Sequence, residues 1–325
     1  LSSLDFSSLG GTTSLSATAF DFETGNADGQ TVWAFDPQNN FIAKITRSSM
    51  SVFVSTYGSL GSGATNFDYV QDISPETADA GNLLVTDHMN DRLKEHRKSD
   101  LSFVREYGQL GEGSTSFYNP TSADWDSKSI WVLDDGNQKI KKFSRAYAFE
   151  GEAKLDINTI GNGIIRAGPD ILFDAYNRGS DDAIYFTDVV LEKRNKSDMV
   201  LRNRVVLRPE GSVASSSYSI LGLALHSKFV FVSFNDTALD DGTYYIQKRL
   251  QSDLSLVQEL KTGAKFTGMF ADGLARELAL ATKAVNLNIL TQPYVQLRFY
   301  QRGELESPFK LTSMALVAEK LPYVP

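Results

Sequence analysis

Apolar residues occur along this chain in short runs that are bounded by turn-forming residues. The run 31–35 lies between the turn clusters 25–29 and 36–40, and the run 130–133 ends at the turn 134–138. These runs lack the spacing of amphipathic helices, whose apolar positions recur every three to four residues. The pattern therefore predicts an all-β fold built from short strands.

Two glycine-rich runs repeat each other at an offset of 50 residues. They are Tyr57-Gly58-Ser59-Leu60-Gly61-Ser62-Gly63, followed by Phe67, and Tyr107-Gly108-Gln109-Leu110-Gly111-Glu112-Gly113, followed by Phe117. A period of this size is typical of a repeat architecture. Phosphate-binding loops have similar glycine spacing, but neither run opens a predicted helix. We interpret the runs as joints between repeat units, where glycine permits positive φ. The glycines that mark the joints are Gly58, Gly61, Gly108 and Gly111.

An acidic residue follows an apolar strand at similar intervals along the chain. The marks are Asp36, Asp87, Asp134 and Asp188, continued by Asn235, and they are 51, 47, 54 and 47 residues apart. A ring of carboxylates is one interpretation of such a series. A local role is the better one, because an Asp that opens a turn accepts hydrogen bonds from backbone N–H groups two or three residues further on. Units of about 50 residues with four strands each account for nearly the whole chain.

The repeat resembles the unit of the NHL-repeat family of β-propellers. That unit has a glycine-rich loop, an inner strand, a strand-turn-strand with the pattern Val-x-Asp-x-x-Asn-x-Arg, and an outer strand. The second unit matches through Tyr57, Gly58, Gly61, Gly63, Phe67, Val85, Asp87, Asn90, Arg92 and Leu93. The third matches through Tyr107, Gly108, Gly111, Gly113, Phe117, Pro120, Val132, Asp134, Asn137, Lys139 and Ile140. In the fourth unit the pattern implies an insertion after Asp188, at 189–201.

The resemblance implies a single all-β propeller. Six four-stranded blades are favoured, with seven as the alternative. We expect residues 1–14 to supply a closing strand and loop, 15–302 the blades, and 303–325 an extra strand or tail that completes or extends the propeller. Pairing the two termini in one blade would remove open sheet edges.

Composition excludes several kinds of site. The chain has 325 residues, 42% of them hydrophobic, and no cysteine, which rules out disulfides, thiolate zinc sites and thiol catalysis. A formal charge of −8 argues against nucleic-acid binding over the whole surface. No apolar run approaches the roughly 20 residues that span a bilayer, so no transmembrane segment is predicted.

No catalytic or metal-binding residue is predicted. The three histidines, His88, His96 and His226, fall on different kinds of element and are not expected to converge on a propeller axis. The chain contains neither a Gly-x-Ser-x-Gly nucleophile elbow nor a Gly-x-x-x-x-Gly-Lys phosphate loop. No cofactor is therefore predicted. Calcium is left open, because oxygen ligands from separate blades leave no linear motif.

Basic residues alternate along the third strands of three units. They are Arg92, Lys94 and Lys98, then Lys139, Lys141 and Arg145, then Arg202, Arg204 and Arg208. Alternation places each set on one side of its strand, which gives a candidate interaction surface for an acidic partner, a glycan or RNA. The alternative is a solvated outer strand whose charges prevent edge pairing. We favour the alternative, because the chain is acidic and no run of stacking aromatic residues accompanies the bases.

These observations favour a non-enzymatic propeller that acts as a protein-interaction or structural module. The Ser-, Thr- and Gly-rich stretch 1–17 suits an extracellular, cell-surface or virion assembly. We expect protein partners within such an assembly and no nucleic-acid partner. Two alternative functions stay open, and the resemblance implies both for some propellers. One is a metal-dependent lactonase or lyase of the channel type, and the other is an RNA-binding propeller that uses the basic third strands.

Overall fold

The described part of the chain consists mainly of short β-strands. The computed structural model describes residues 30–37, 39–47, 52–76, 81–155, 163–179, 187–209, 217–226, 228–237, 243–262, 268–271, 277–281 and 298–300. Within these ranges the chain forms 22 β-strands and two single-turn 3-10 helices, at His88–Asn90 and Asp135–Asn137. Among the described helices, none has the length and apolar character needed to cross a membrane.

The strands form six antiparallel sheets, and strands adjacent in sequence are adjacent in each sheet. Sheet I contains β1 (Gln30–Asp36), β2 (Phe41–Arg47) and β3 (Val52–Tyr57). Sheet II contains β4 (Val70–Pro75), β5 (Asn82–Asp87), β6 (Arg92–Arg97) and β7 (Phe103–Tyr107). Sheet III contains β8 (Pro120–Trp125), β9 (Ser129–Asp134), β10 (Lys139–Ser144) and β11 (Phe149–Lys154). Sheet IV contains β12 (Ile164–Ala167), β13 (Ile171–Gly179), β14 (Thr187–Asn195) and β15 (Leu201–Leu207). Sheet V contains β16 (Tyr218–His226), β17 (Phe229–Asp236), β18 (Tyr244–Leu250) and β19 (Leu256–Thr262). Sheet VI contains β20 (Gly268–Ala271), β21 (Glu277–Ala281) and β22 (Arg298–Tyr300).

The hydrophobic core lies between neighbouring sheets. Adjacent residues of one strand serve different interfaces: Val85 packs with Trp33 and Ile42 of sheet I, whereas Leu84 packs with Val132 and Phe143 of sheet III. Because side chains alternate across a strand, a strand buried on both faces needs a continuous apolar sequence. This explains the uninterrupted apolar runs in the second strands, β5 and β9.

The sheets pack around a line of first strands. Each of β4, β8, β12 and β16 contacts the first strand of the following sheet. Sheets that pack face to face with their first strands innermost form a β-propeller. The chain is therefore a single all-β propeller, and this part of the predicted fold is confirmed.

The predicted blade count is wrong. Instead of six four-stranded blades, or seven, the described residues form four four-stranded sheets, II to V, and two three-stranded sheets, I and VI. The reason is that each acidic mark identifies only the turn between two strands of a unit and carries no information about its first and fourth strands. The predicted closing segment 1–14 and the tail 303–325 lie outside the described residues.

The predicted insertion in the fourth unit is also wrong. The second strand of sheet IV is Ile171–Gly179, and Asp188 is the second residue of the third strand, where it pairs with Arg178. The segment 189–201 continues that strand and turns into the next. An acidic residue after an apolar run does not distinguish a strand end from a strand interior. Here Asp188 is buried and forms an ion pair with Arg208 at 2.9 Å.

Candidate functional site

Two loops carry the repeated glycine runs, and they have the same internal hydrogen bonds. The loop 58–69 joins β3 to β4, and the loop 108–119 joins β7 to β8. In the first, Gly61 N donates to Phe67 O (3.0 Å) and Phe67 N donates to Ser59 O (2.9 Å). In the second, Gly111 N donates to Phe117 O (2.9 Å) and Phe117 N donates to Gln109 O (2.8 Å). Each loop is therefore closed on itself.

Two local constraints favour glycine in these loops: positive φ and the lack of space for a Cβ. Gly58 and Gly108 have φ of +114° and +102°, values that favour glycine. A Cβ at either position would lie 2.5 or 2.4 Å from a ring carbon of the buried Phe67 or Phe117. Gly61 and Gly111 also have positive φ, at +146° and +153°. These positions therefore shape the joints between sheets and do not contribute side chains to a ligand site.

The acidic marks connect these loops to the sheets. Asp87 accepts hydrogen bonds from Asp68 N (2.7 Å) and from Asn90 Nδ2 (3.0 Å). Asp134 accepts the equivalent bonds from Tyr118 N (2.7 Å) and Asn137 Nδ2 (2.8 Å). The backbone donors therefore lie 19 and 16 residues before the acid, in the preceding loop.

The first acidic mark also accepts local hydrogen bonds. Asp36 accepts a bond from the backbone N–H of Asn39 (3.0 Å), three residues further on, as a local turn would predict. All four marks are buried. Burial raises the pKa of both Asp87 and Asp134, although their hydrogen bonds oppose that effect. No ring of solvated carboxylates is formed by these marks among the described residues.

Four of the nine predicted basic surface residues are buried: Arg92, Lys94, Lys98 and Lys141. Lys94 Nζ donates to Gly63 O (2.9 Å) and Ala64 O (3.2 Å). Lys141 Nζ makes the equivalent bond to Gly113 O (2.8 Å) and an ion pair with Asp134 (2.7 Å). These ammonium groups therefore point into the glycine loops and satisfy their carbonyl groups.

The other five basic residues retain some solvent exposure, but each has an internal partner. The contacts are Lys139 to Glu152 (2.8 Å), Arg145 to Glu76 (2.6 Å), Arg202 to Asn195 (2.7 Å), Arg204 to Glu192 (2.5 Å) and Arg208 to Asp188 (2.9 Å). They are divided between sheets III and IV. Their use by a partner stays a prediction.

Five of the ten large apolar side chains that are exposed in the described residues lie on these loops and turns. Leu60 and Leu110, at equivalent positions of the two glycine loops, are 65% and 66% exposed. Tyr69, Met89 and Tyr118 are 43%, 54% and 46% exposed. In a four-stranded antiparallel sheet, the turn between the second and third strands lies at the same edge as the connection to the next sheet. We call the surface formed by residues 58–69, 88–91, 108–119 and 135–138 the loop face.

Hydrogen bonds hold the loop face together. Asn90 Nδ2 donates to Gly61 O (2.9 Å), which ties a turn of sheet II to the loop before it. Asn119 N donates to Asp91 Oδ1 (2.7 Å), which ties the same turn to the loop after it. His88 Nδ1 lies 3.0 Å from Pro120 O and completes the second connection. The five exposed apolar side chains are therefore carried by a connected framework.

A cluster of polar side chains lines the inner wall of the propeller. Ser122 Oγ donates to Asp72, and Ser74 Oγ donates to Asp124, so the bonded residues are 50 positions apart. Arg166, on the first strand of sheet IV, donates Nη1 to Asp72 Oδ2 (2.9 Å) and Nη2 to Asp72 Oδ1 (3.1 Å). Burial raises the pKa of Asp124. Within the described ranges, no group of three His, Asp or Glu side chains converges as metal ligands would. The cluster joins the first strands of three sheets.

Sheet IV contains a separate, buried cluster of charged side chains. Arg194 donates to Asp174 Oδ1 (3.1 Å) and to Glu192, and Tyr176 donates to Glu192 Oε1 (2.9 Å). Burial and the neighbouring Glu192 carboxylate raise the pKa of Asp174. Arg194 also donates to Met199 O (3.1 Å), so the cluster supports the hairpin between β14 and β15.

The three histidines lie on different elements of the fold. His88 lies on the loop face, His96 is fully buried, and His226 ends β16. The His96 ring lies against Tyr57, Phe67 and Phe103, with centroid distances of 5.0, 5.3 and 5.8 Å. Its Nδ1 lies 2.8 Å from Leu101 O. His96 therefore belongs to the core between sheets I and II.

The buried His96 is expected to make stability depend on acid pH. Burial lowers its pKa to about 4, so between about pH 6.5 and 4 the unfolded chain binds the proton more readily than the folded chain. The free energy of unfolding should fall as pH decreases through this window. We expect a His96→Phe variant to show a shallower fall in urea unfolding midpoint between pH 7 and pH 4.5 than the native chain. Parallel curves for the two proteins would contradict this role of His96.

Comparisons with known proteins support the fold and do not identify a family. No known family model and no curated protein sequence matches the chain. Among solved structures, it is similar to hydrazine synthase of Kuenenia stuttgartiensis (TM-score 0.54, 10% identity, covering 83% of this chain and 75% of that chain). It is also similar to the WD40 repeats of RRP9 (TM-score 0.53, 9% identity, 84% of this chain and 88% of that chain). A third similar structure is virginiamycin B lyase from Staphylococcus aureus (TM-score 0.50, 12% identity, 84% of this chain and 93% of that chain). At these identities the similarity shows the β-propeller fold alone.

Proposed function

We propose that this protein is a non-enzymatic, NHL-type β-propeller that binds a protein partner through its loop face. The observation that carries the proposal is the set of five exposed apolar side chains on the loop face. Two of them, Leu60 and Leu110, are the most exposed of the large hydrophobic residues in the described chain. The composition of the chain favours an extracellular, cell-surface or virion assembly as its setting, which stays a prediction.

The physical properties of the loop face suit a protein interface. The centres of such interfaces are poor in charge and rich in aromatic residues and methionine, and the loop face exposes Tyr69, Met89 and Tyr118 beside its two leucines. Its loops are already hydrogen-bonded, so binding costs less conformational entropy than it would on unstructured loops. Large exposed apolar groups on a connected surface are also unusual in proteins that act alone.

The two alternative functions receive less support. The inner-wall carboxylates that a channel enzyme could use, Asp72 and Asp124, are engaged by serine hydroxyl groups and, for Asp72, by Arg166. An RNA-binding surface on the third strands would need Lys94 and Lys141, whose ammonium groups are buried in the glycine loops. In the described part of the chain, neither the inner-wall carboxylates nor these lysines could bind a ligand without first losing their present contacts.

The proposal is tested by removing the two leucines together. We expect Leu60→Ser combined with Leu110→Ser to weaken the binding of the partner that co-purifies from the native source by about tenfold or more. Calorimetric titration of the separately purified partner into each protein gives the dissociation constants. Because both side chains are exposed, the fold should be unaffected.

The matched control uses exposed apolar residues away from the loop face. Val104 and Val257, on the outer strands of sheets II and V, are 36% and 47% exposed. A Val104→Ser and Val257→Ser double variant should keep the native affinity. An unchanged affinity for the leucine variant, or an equal loss in the control, would overturn the assignment of the loop face.

A further inference from the structure

The loop face carries negative charge and no Lys or Arg. Its four segments contain Asp68, Asp91, Glu112 and Asp135, whereas His88 is their only other titratable side chain apart from tyrosines. Asp91 is buried and accepts the hydrogen bond from Asn119 N. Glu112 is exposed, and Asp68 and Asp135 are partly exposed.

The acidic character of the loop face follows from the direction of the neighbouring cations. Arg92, Lys94 and Lys141 follow these segments within three residues, and their cationic groups point inward to loop carbonyl groups. Lys139, which directly follows Gln138, forms an ion pair with Glu152 at 2.8 Å. Arg92 Nη1, for example, donates to Ser62 O at 2.7 Å. Arg92, Lys94 and Lys141 are consequently covered by the loops, and the four loop segments contain carboxylates but no Lys or Arg.

The carboxylates lie next to the exposed apolar residues. Glu112 is two positions from Leu110, and Asp68 precedes Tyr69. An apolar centre with charges at its margin is the usual arrangement of an interface, in which the marginal charges set the approach and orientation of the partner. The negative charge and the apolar residues of this surface therefore both indicate the chemical character of its partner.

Building on the proposed function, we propose that the loop face takes a cationic, apolar polypeptide segment. Such a segment has aliphatic or aromatic side chains that pack against Leu60 and Leu110, and Lys or Arg residues beside them that face Glu112 and Asp68. Nucleic acids and anionic membranes are disfavoured at this surface, because like charges repel. The occupant is thus a basic segment of a protein partner.

Selection from a random peptide library tests this inference with the purified protein alone. The intact protein is immobilised, and phage that display random peptides of about 12 residues are selected on it and depleted on an unrelated immobilised protein. We expect the enriched peptides to combine apolar residues with an excess of Lys and Arg. A synthetic peptide of the leading sequence is then titrated by fluorescence anisotropy.

The carboxylates are tested with that synthetic peptide. Glu112→Gln should weaken its binding by about threefold, and the triple variant Asp68→Asn, Glu112→Gln and Asp135→Asn by about tenfold. The affinity for the native protein should also fall between about 50 and 300 mM salt, because exposed charges are screened. The matched control is Asp170→Asn, at the turn between β12 and β13 on the opposite face, which should leave binding unchanged.

The outcomes separate this inference from the proposed function. If the enriched peptides require both leucines but lack an excess of basic residues, or bind the triple variant as tightly as the native protein, the charge assignment is overturned and the binding face stands. If the peptides bind the leucine double variant as tightly as the native protein, both are overturned. Failure to enrich any peptide over an unrelated immobilised protein also counts against both.

Discussion

Gly108→Ala is expected to lower the free energy of unfolding by about 3–5 kcal/mol. The backbone at Gly108 has φ +102°, which L-residues rarely adopt, and an added Cβ would lie 2.4 Å from a ring carbon of Phe117. Phe117 is fully buried between sheets II and III, so the ring cannot move without disturbing that core. Urea unfolding followed by fluorescence measures the change.

The same loop provides the control. At Gly113 an added Cβ would meet only Ser116 Oγ, at 3.7 Å, which is an ordinary contact. Gly113→Ala should therefore change the free energy of unfolding by less than about 1 kcal/mol. Equal effects of the two substitutions would show that Gly108 is not constrained by its conformation and by Phe117.

Lys141→Met is expected to lower the free energy of unfolding by a similar amount, about 3–5 kcal/mol, because it removes one partner of a buried ion pair. The substitution leaves Asp134, which is fully buried, without its cation at 2.7 Å. It also removes the donor to Gly113 O and Ser116 O. Because burial already raises the pKa of Asp134, protonation of this carboxyl should relieve part of the loss. The destabilisation measured by urea unfolding should thus be smaller at pH 5 than at pH 8.

The neighbouring lysine is the matched control for this prediction. Lys142 points to the opposite side of β10, where it contacts Glu150 (3.1 Å) and Ser197 O (3.3 Å) near the surface. Lys142→Met should lower the free energy of unfolding by no more than about 1 kcal/mol. If the two variants were equally stable, Lys141 would not be the internal cation that the structure assigns.

The period and the joints of the propeller could be predicted because they depend on local backbone constraints. The glycine loop requires positive φ at Gly58 and at Gly108, so a glycine is found at this position each time the loop recurs. Strands buried on both faces likewise leave continuous apolar runs. The number of strands in each sheet could not be predicted in this way, since outer strands such as β7 and β11 carry mixed, exposed residues.

The direction of the basic side chains could not be predicted from alternation. Alternation places Lys94 and Lys141 on one side of their strands but does not say whether that side faces solvent. A signal did exist, because each lysine follows its acidic mark, Asp87 or Asp134, by seven residues. That constant spacing matches an ion pair across the turn, with separations of 3.8 Å and 2.7 Å.

A second, shorter repeat becomes recognisable once the hairpins are known. The tripeptides Ser99-Asp100-Leu101, Ser197-Asp198-Met199 and Ser252-Asp253-Leu254 each form the hairpin between the third and fourth strands. Their apolar residues are buried with φ of 62°, 57° and 63°. A lysine of the preceding sheet donates to each Ser carbonyl: Lys44 to Ser99 (2.9 Å), Lys142 to Ser197 (3.3 Å) and Lys193 to Ser252 (2.6 Å). The motif therefore connects neighbouring sheets.

The loop face was not predicted, because the glycines alone accounted for the two repeated runs. Leu60 and Leu110 recur with the same period as the glycines, although their side chains contribute little to the core. A large apolar residue that is repeated but exposed has no packing role to explain it. Such positions are where a repeat protein is expected to show its binding surface.

Hydroxyl-radical footprinting of the protein with and without its native partner tests the binding face most directly. We predict that the partner lowers the oxidation rates of Leu60, Tyr69, Met89, Leu110 and Tyr118. The exposed outer-strand residues Val104, Phe149 and Val257 should keep their rates. Protection confined to the outer strands, with unchanged oxidation of Leu60 and Leu110, would contradict the account.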